Sequence, residues 1–301
     1  MRDAAAPDLA IVGAARSGTS FLSATLGNHP KVDAGSVKEP NFYSSRWSEG
    51  RDWYDALFRP REEGLLRVDG SVSYTYPQHP HALERLVEAA PDVQVVYTVR
   101  EPVARLVSHY QLFRYYYGLE DWGDLSQAIE KSAMFLGAGD YAHWLGRLSD
   151  LFPADNVIVV PFPVATRETA STTRLLLSRL GLDDNTDADL QATTFRNEVR
   201  DFRVPGLRSA HQAIQKSRFY PGLRATVGPE RLRRLRQRVT KPADLPPAEV
   251  ELERLTQQQR ELIDAQAAQA NDAVRTWLRD QDERLDLAWS AVWASHTAKH
   301  S

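Results

Sequence analysis

The chain alternates between short, almost uninterrupted apolar runs and longer stretches whose apolar residues recur at helical spacing. Four runs read as strands: Leu9–Val12, Leu65–Asp69, Val93–Val99 and Val157–Pro161. Each is bounded by turn-forming residues, and near-continuous apolarity suits strands buried on both faces of a parallel sheet. Between them the pattern predicts helices at Thr19–Leu26, His79–Ala89, Val103–Tyr117, Tyr141–Leu151 and Thr166–Leu180. Strand–helix alternation of this kind predicts an α/β fold, a doubly wound parallel sheet flanked by helices with right-handed crossovers. Ligands of such sheets bind beyond the carboxyl ends of the strands.

After about residue 185 the strand signals stop. Polar helical segments follow at Leu207–Ser217, at Glu230–Val239 and from about Pro247 to Leu278, the last with Leu252, Leu255, Leu262 and Val274 at roughly helical spacing. With no internal repeat or low-complexity linker, the expectation is a single domain over residues 1–301. Its α/β core would span about 1–185, with a C-terminal helical cap and tail over about 186–301.

Composition narrows the function classes. A length of 301 residues suits one large α/β domain, and a formal net charge of −3 gives no electrostatic case for nucleic acid. The absence of cysteine removes a disulfide framework, a thiolate metal site and a cysteine nucleophile. No apolar run approaches the roughly 20 residues of a membrane span, and the first residues lack the basic and apolar regions of a signal peptide. A cytoplasmic protein without a transmembrane segment is the expectation. His29, His79, His81, His109 and His143 show no metal-ligand spacing, so no metal is expected. Trp122, Trp144, Trp277, Trp289 and Trp293 read as core anchors.

The most informative segment is Ile11–Leu22, IVGAARSGTSFL. Its glycines have the spacing of a Walker A loop, G-x-x-x-x-G-K-[ST], but Thr19 stands where the lysine belongs and the cation sits inside the loop at Arg16. A P-loop-like turn that opens a helix aims backbone N–H groups at one point, and the helix dipole there favours negative charge. Arg16 can fork onto two anion oxygens, and Ser17, Thr19 and Ser20 with Gly18 complete a cradle for a compact diphosphate-like anion. A second anion site is expected where the third strand ends, in VREPVARLVSHY (Val99–Tyr110): Arg100 projects from the strand end and Ser108 lies about two turns along the next helix. The segment Val37–Tyr43, VKEPNFY, holds an adjacent Lys38 and Glu39.

Together these segments resemble the sulfotransferases that use 3′-phosphoadenosine-5′-phosphosulfate (PAPS), especially their bacterial and heparan-sulfate-type branch. The family's 5′-phosphosulfate loop, G-x-x-[KR]-[SGT]-G-T-[ST], reads GAARSGTS here. Its K-E-x-x-F-[FY] segment reads KEPNFY, and its 3′-phosphate motif, V-x-R-x-P-x-x-R-x-x-S-x-Y, reads VREPVARLVSHY. A looser likeness runs through Gly139–Phe162 and the tail Leu285–Trp289. The chain departs from the heparan-type pattern at Ser20, Ser44 and Gly70, where that branch has an arginine, an acid and a lysine.

The resemblance implies an enzyme that moves a sulfuryl group from PAPS, without a metal, to a hydroxyl or amine of a glycan, glycolipid or small metabolite. It makes Glu39 the general base and Arg16 the group that stabilises the leaving phosphate. Lys38 either holds the sulfuryl oxygens or favours the charged form of the base. The cofactor would lie on Arg16, Ser17, Gly18, Thr19, Ser20, Arg100 and Ser108. The loss of the lysine at Gly70 weakens the case for a sulfated-polysaccharide acceptor. Two competing readings are a P-loop kinase or NTPase with a degenerate Walker A, and an inactive nucleotide-binding relative. The basic cluster Arg231–Lys241 reads as a solvated helix face, with an anionic acceptor or a peripheral membrane contact as the alternative. A homodimer is the default for assembly.

Overall fold

The computed structural model describes residues 6–117, 123–182, 200–202, 240–242 and 245–298. Strands β1 (Leu9–Gly13), β2 (Val32–Asp33), β3 (Leu66–Asp69), β4 (Gln94–Val99) and β5 (Val157–Pro161) form one sheet in the order β2-β3-β1-β4-β5, all neighbours parallel. β2 and β3 lie on one side of β1 and β4 and β5 on the other, so the winding reverses between β1 and β4. That reversal is the switch point at which open α/β sheets bind ligands. The four expected strands are present within a residue of their expected ends. β2, with two residues, is too short to carry a periodic signal.

The central strands are largely apolar, as suits a sheet flanked by helices: Leu9, Ala10, Ile11, Val12, Val95, Val96 and Val157 to Val160 are all buried, whereas β3 buries Arg67 and Asp69. Thr19–Leu26 and Tyr141–Leu151 are helical as expected, and the expected His79–Ala89 helix starts at Ala82, after Pro80. The helix expected at Val103–Tyr117 is Pro102–Gln111, continued by a π-helical turn at Leu112–Tyr116. The one expected at Thr166–Leu180 is two, Phe162–Arg167 and Thr169–Arg179.

The described chain divides into two compact units: residues 1–106, 133–195 and 257–301, and residues 107–132 and 196–256. In the first unit, the long helix Gln257–Leu285 buries Ile263, Ala267, Ala270, Val274 and Leu278, whereas Leu262 is 55% exposed. Of the residues that suggested it, Val274 lies on this buried stripe and Leu262 lies one position off it, while Leu252 and Leu255 precede the helix, the expected run from Pro247 being broken after a separate helix at Ala248–Glu253. Gln281, wholly buried on this helix, accepts from Val159 N at 2.7 Å and donates to Val159 O at 2.9 Å. The helix therefore pairs the outward backbone groups of Val159 on the edge of β5, which would otherwise be open to another chain. Trp144, Trp289 and Trp293 are buried and Trp277 is half-buried, while Trp122 lies outside the described residues.

In the second unit, the antiparallel pair β6 (Arg200–Phe202) and β7 (Thr240–Pro242) corrects the expectation that strands stop after residue 185. The two three-residue segments lie far apart in sequence, so no hairpin pattern marks them. His109 is buried and packs edge-on against Phe113, centroids 5.2 Å apart. The expected helices Leu207–Ser217 and Glu230–Val239 and the basic residues 231–239 lie outside the described residues. Among the described residues no helix is long and apolar enough to cross a membrane.

Gly13, at the end of β1, is enclosed on two sides: a Cβ there would lie 2.2 Å from Thr75 Oγ1 and 2.8 Å from the Tyr97 ring. Gly13→Ala is expected to destabilise the fold by about 1–3 kcal/mol through overpacking. The check is the urea midpoint at unchanged slope; an unshifted midpoint contradicts the crowding.

Candidate functional site

All five strands are parallel, so the loops that follow them emerge at one edge of the sheet. Residues 14–18 follow β1, Lys38 and Glu39 follow β2, Gly70 to Thr75 follow β3, Arg100 follows β4 and Phe162 follows β5. The topology alone therefore gathers the sequence-predicted residues of the first unit.

The end of β1 and the loop after it are fastened from both sides, by the turn Val72–Thr75 that follows β3 and by β4. Thr75 Oγ1 donates to Val12 O at 2.9 Å, Thr98 Oγ1 donates to Gly13 O at 2.9 Å, and Ala14 N donates to Thr98 O at 2.8 Å. Arg16 (φ 71°) and Gly18 (φ 95°) both lie in the left-handed region. Glycine adopts it without cost, whereas for an arginine it costs roughly 1–2 kcal/mol, and such conformations cluster at ligand clamps. Thr19 and Ser20 begin the following helix, whose first-turn N–H groups have no acceptor four residues back within it. Ser17 is wholly buried; Tyr141 lies near its Oγ, without a hydrogen bond of full geometry.

Arg100 is held by its backbone and by its plane. Tyr141 Oη accepts from Arg100 N at 3.1 Å and donates to Arg100 O at 2.8 Å. The guanidinium stacks 4.8 Å over the Phe162 ring, and Nη1 reaches Arg16 O at 3.4 Å, the long limit of a hydrogen bond. Burial presses Arg100 toward its neutral form, opposed by Tyr141 and Glu101. An arginine held by a ring and a carbonyl keeps its charge for an incoming anion. The structure thus brings Arg16 and Arg100 together across the switch point. Ser108 lies further along the Pro102–Gln111 helix, in the second unit.

Two further residues of the Val99–Tyr110 segment, given no role from sequence, have local ones. Glu101 accepts from Val103 N at 2.9 Å and Ala104 N at 2.6 Å, capping the helix that follows Arg100. Arg105, buried, donates to Phe135 O, and Gly139 leaves room for it: a Cβ there would sit 2.5 Å from Arg105 Nε.

Lys38 Nζ donates to Glu39 Oε1 at 2.7 Å, and both side chains are about one-third exposed (36% and 35%). An exposed pair of this kind adds little stability, so its interest lies in where it stands. Gly70 is the close approach between this loop and the Thr19–Leu26 helix, since a Cβ at 70 would lie 3.2 Å from both Lys38 O and Ser23 Oγ. The residues that sequence reasoning missed are those that fasten the Glu39 loop: Asn41, Asp69, Ser71, Ser73 and Tyr74. The buried Asp69 carboxylate accepts from Ser71 Oγ at 2.6 Å, Tyr74 Oη at 2.7 Å and Tyr54 Oη at 2.8 Å. Burial raises its pKa, and these donors oppose the rise. The hydroxyl residues Ser71, Ser73 and Tyr74 clustered just after Asp69 were the available signal.

The chain is similar to known proteins in sequence and in fold. A sulfotransferase domain matches residues 6–220. The chain is 34% identical over 105 residues to heparan sulfate glucosamine 3-O-sulfotransferase 6 of Mus musculus, covering 35% of this chain and 30% of that one. It is 28% identical over 105 residues to the membrane-associated sulfotransferase kil1 of Dictyostelium discoideum, covering 35% and 22%. The chain thus spans less than a third of the length of these relatives. A crystal structure of a sulfotransferase from Alicyclobacillus acidocaldarius shares the fold, with a TM-score of 0.50 at 22% identity over 73% of this chain and 95% of that one. With the domain match spanning most of its length, the chain belongs to the sulfotransferase family.

Proposed function

We propose that this chain transfers a sulfuryl group from PAPS to a hydroxyl or amine of an acceptor, with a glycan as the first class to test. The observation that carries the reading is the pairing of Arg16 and Arg100 across the β1–β4 switch point, one in an anion-cradling loop and the other stacked on Phe162. A donor with phosphate groups at both its 5′ and 3′ positions matches two cationic sites in one crevice. The loop fits such a donor: Ser17 Oγ is buried without a hydrogen bond of full geometry, and Thr19 leaves no ammonium at the position a triphosphate-binding lysine occupies. A glycan acceptor is suggested by the heparan sulfate enzymes among the relatives.

When bound, PAPS supplies the sulfuryl group and a phosphate leaving group. Arg16 and the N–H groups at the start of the Thr19–Leu26 helix stabilise charge as it grows on the leaving phosphate oxygen. Arg100 holds the 3′-phosphate. Glu39 Oε2, the oxygen not engaged by Lys38, takes the proton from the acceptor hydroxyl. Once Glu39 is protonated, the Lys38 charge is released toward the sulfuryl oxygens. The protein's contribution is mostly placement and charge, as in the related phosphoryl transfers.

Arg100→Ala is expected to weaken binding of 3′-phosphoadenosine-5′-phosphate by about 2–4 kcal/mol in a calorimetric titration; an unchanged affinity contradicts the 3′-phosphate assignment. Glu39→Gln is expected to lower turnover of labelled PAPS, with desulfated heparan oligosaccharides as probe acceptor, by about 10²–10⁴-fold. Its affinity for the bisphosphate should stay within about threefold of wild type. A fully active variant removes Glu39 from the reaction.

A further inference from the structure

Glu39 lies in a loop without helix or strand, yet a base must be held to within a fraction of an ångström to be useful. Its tethers lead to one buried group. Asn41 N donates to Ser71 Oγ at 2.9 Å, and Ser71 Oγ donates to Asp69 Oδ1 at 2.6 Å. An ionised carboxylate only accepts, so the single Ser71 proton is committed to Asp69 and the Ser71 oxygen is left to receive Asn41. The second thread has the same logic: Tyr74 Oη donates to Asp69 Oδ2 at 2.7 Å and accepts from Tyr43 N at 3.4 Å. Asn41 closes the circuit. Its Nδ2 donates to Glu39 O at 3.0 Å, its Oδ1 accepts from Ser73 Oγ at 2.6 Å, and its φ of 54° is one that asparagine tolerates better than most residues.

We propose that Asp69 is a positioning residue of this site, acting through Ser71 and Asn41 to fix the main chain at Glu39 without touching donor or acceptor. The inference rests on the reading of Glu39 as the base. Its physical root is burial. Asp69 is wholly buried; two tyrosines share its Oδ2, whereas Ser71 is the hydroxyl donor on Oδ1, so losing the Ser71 hydroxyl cuts the link from the carboxylate to Asn41. Lys38 and Glu39, each about one-third exposed, have no comparable rigidity of their own.

The test uses Asn41→Gly, Ser71→Ala and Ser71→Thr in the full chain, with PAPS as donor and desulfated heparan oligosaccharides as probe acceptor. Asn41→Gly keeps the left-handed backbone and removes the side-chain ties, so it addresses positioning even if the buried Ser71→Ala fails to fold. The expected result is a fall in kcat of about tenfold or more for Asn41→Gly and Ser71→Ala, at unchanged KM for PAPS and unchanged affinity for the bisphosphate. Ser71→Thr, which keeps the hydroxyl, should recover most of kcat, and amide exchange at Asn41 should quicken in Ser71→Ala. Folded Asn41→Gly with kcat within twofold of wild type overturns the proposal, whatever its stability. Glu39→Gln run alongside separates the two readings. If it is inactive while Asn41→Gly is fully active, the positioning claim fails alone; if it is itself fully active, the base assignment fails.

Discussion

Everything at the carboxyl edge of this sheet depends on how β1 ends. Val12 and Gly13 give their last carbonyls to Thr75 and Thr98, hydroxyls that arrive from the β3 side and from β4. Gly13 has no room for a Cβ between Thr75 and Tyr97. The strand cannot continue as sheet, because its carbonyls are taken by side chains, and it cannot drift, because both sides hold it. The loop that follows is forced into a tight course in which Arg16 and Gly18 both take left-handed conformations. Its backbone conformation is set by the fold before any ligand arrives, and preorganisation of this kind lowers the cost of binding.

The charged groups then sort by what surrounds them. Arg100 and Arg105 are both pressed toward neutrality by burial, yet they are held differently. Arg105 is enclosed under Gly139 and bonded to the Phe135 carbonyl, so it works as part of the core. Arg100 rests on the face of Phe162 beside the Arg16 carbonyl, at the crevice. Asp69 is the acidic counterpart of Arg105: buried, fully engaged by hydroxyl donors and removed from the chemistry it supports. The exposed carboxylate and ammonium of Glu39 and Lys38 stand apart from both.

Much of this was readable from the sequence where one residue type does one job. The strands around Ile11, Val96 and Val159 are apolar on both faces, so a period-free run was a sufficient sign. The loop residues Arg16 to Ser20 and the Arg100 segment were marked by their spacing, and the structure places both at the same edge of the sheet. What escaped depends on contacts distant in sequence. Ser71 and Asn41 are thirty residues apart, and a serine or asparagine in a loop looks alike whether it faces water or a buried carboxylate. Gln281 gave no sign that it would pair with Val159 on the edge of β5, because nothing local distinguishes it from the exposed polar residues of the same helix. Leu262 misled for the complementary reason: it has the right chemistry for the core and the wrong phase.

The central claim, that the edge around Arg16 and Arg100 is built for a nucleotide bearing phosphate at both its 5′ and 3′ positions, is tested most directly by titration. The protein is titrated in a calorimeter with 3′-phosphoadenosine-5′-phosphate, and in parallel with ADP and with ATP and magnesium. Micromolar binding of the bisphosphate, at least tenfold tighter than either ADP or ATP–magnesium, is the predicted result. Equal binding of ADP would leave Arg100 without its phosphate, and preference for ATP–magnesium would contradict the assignment outright.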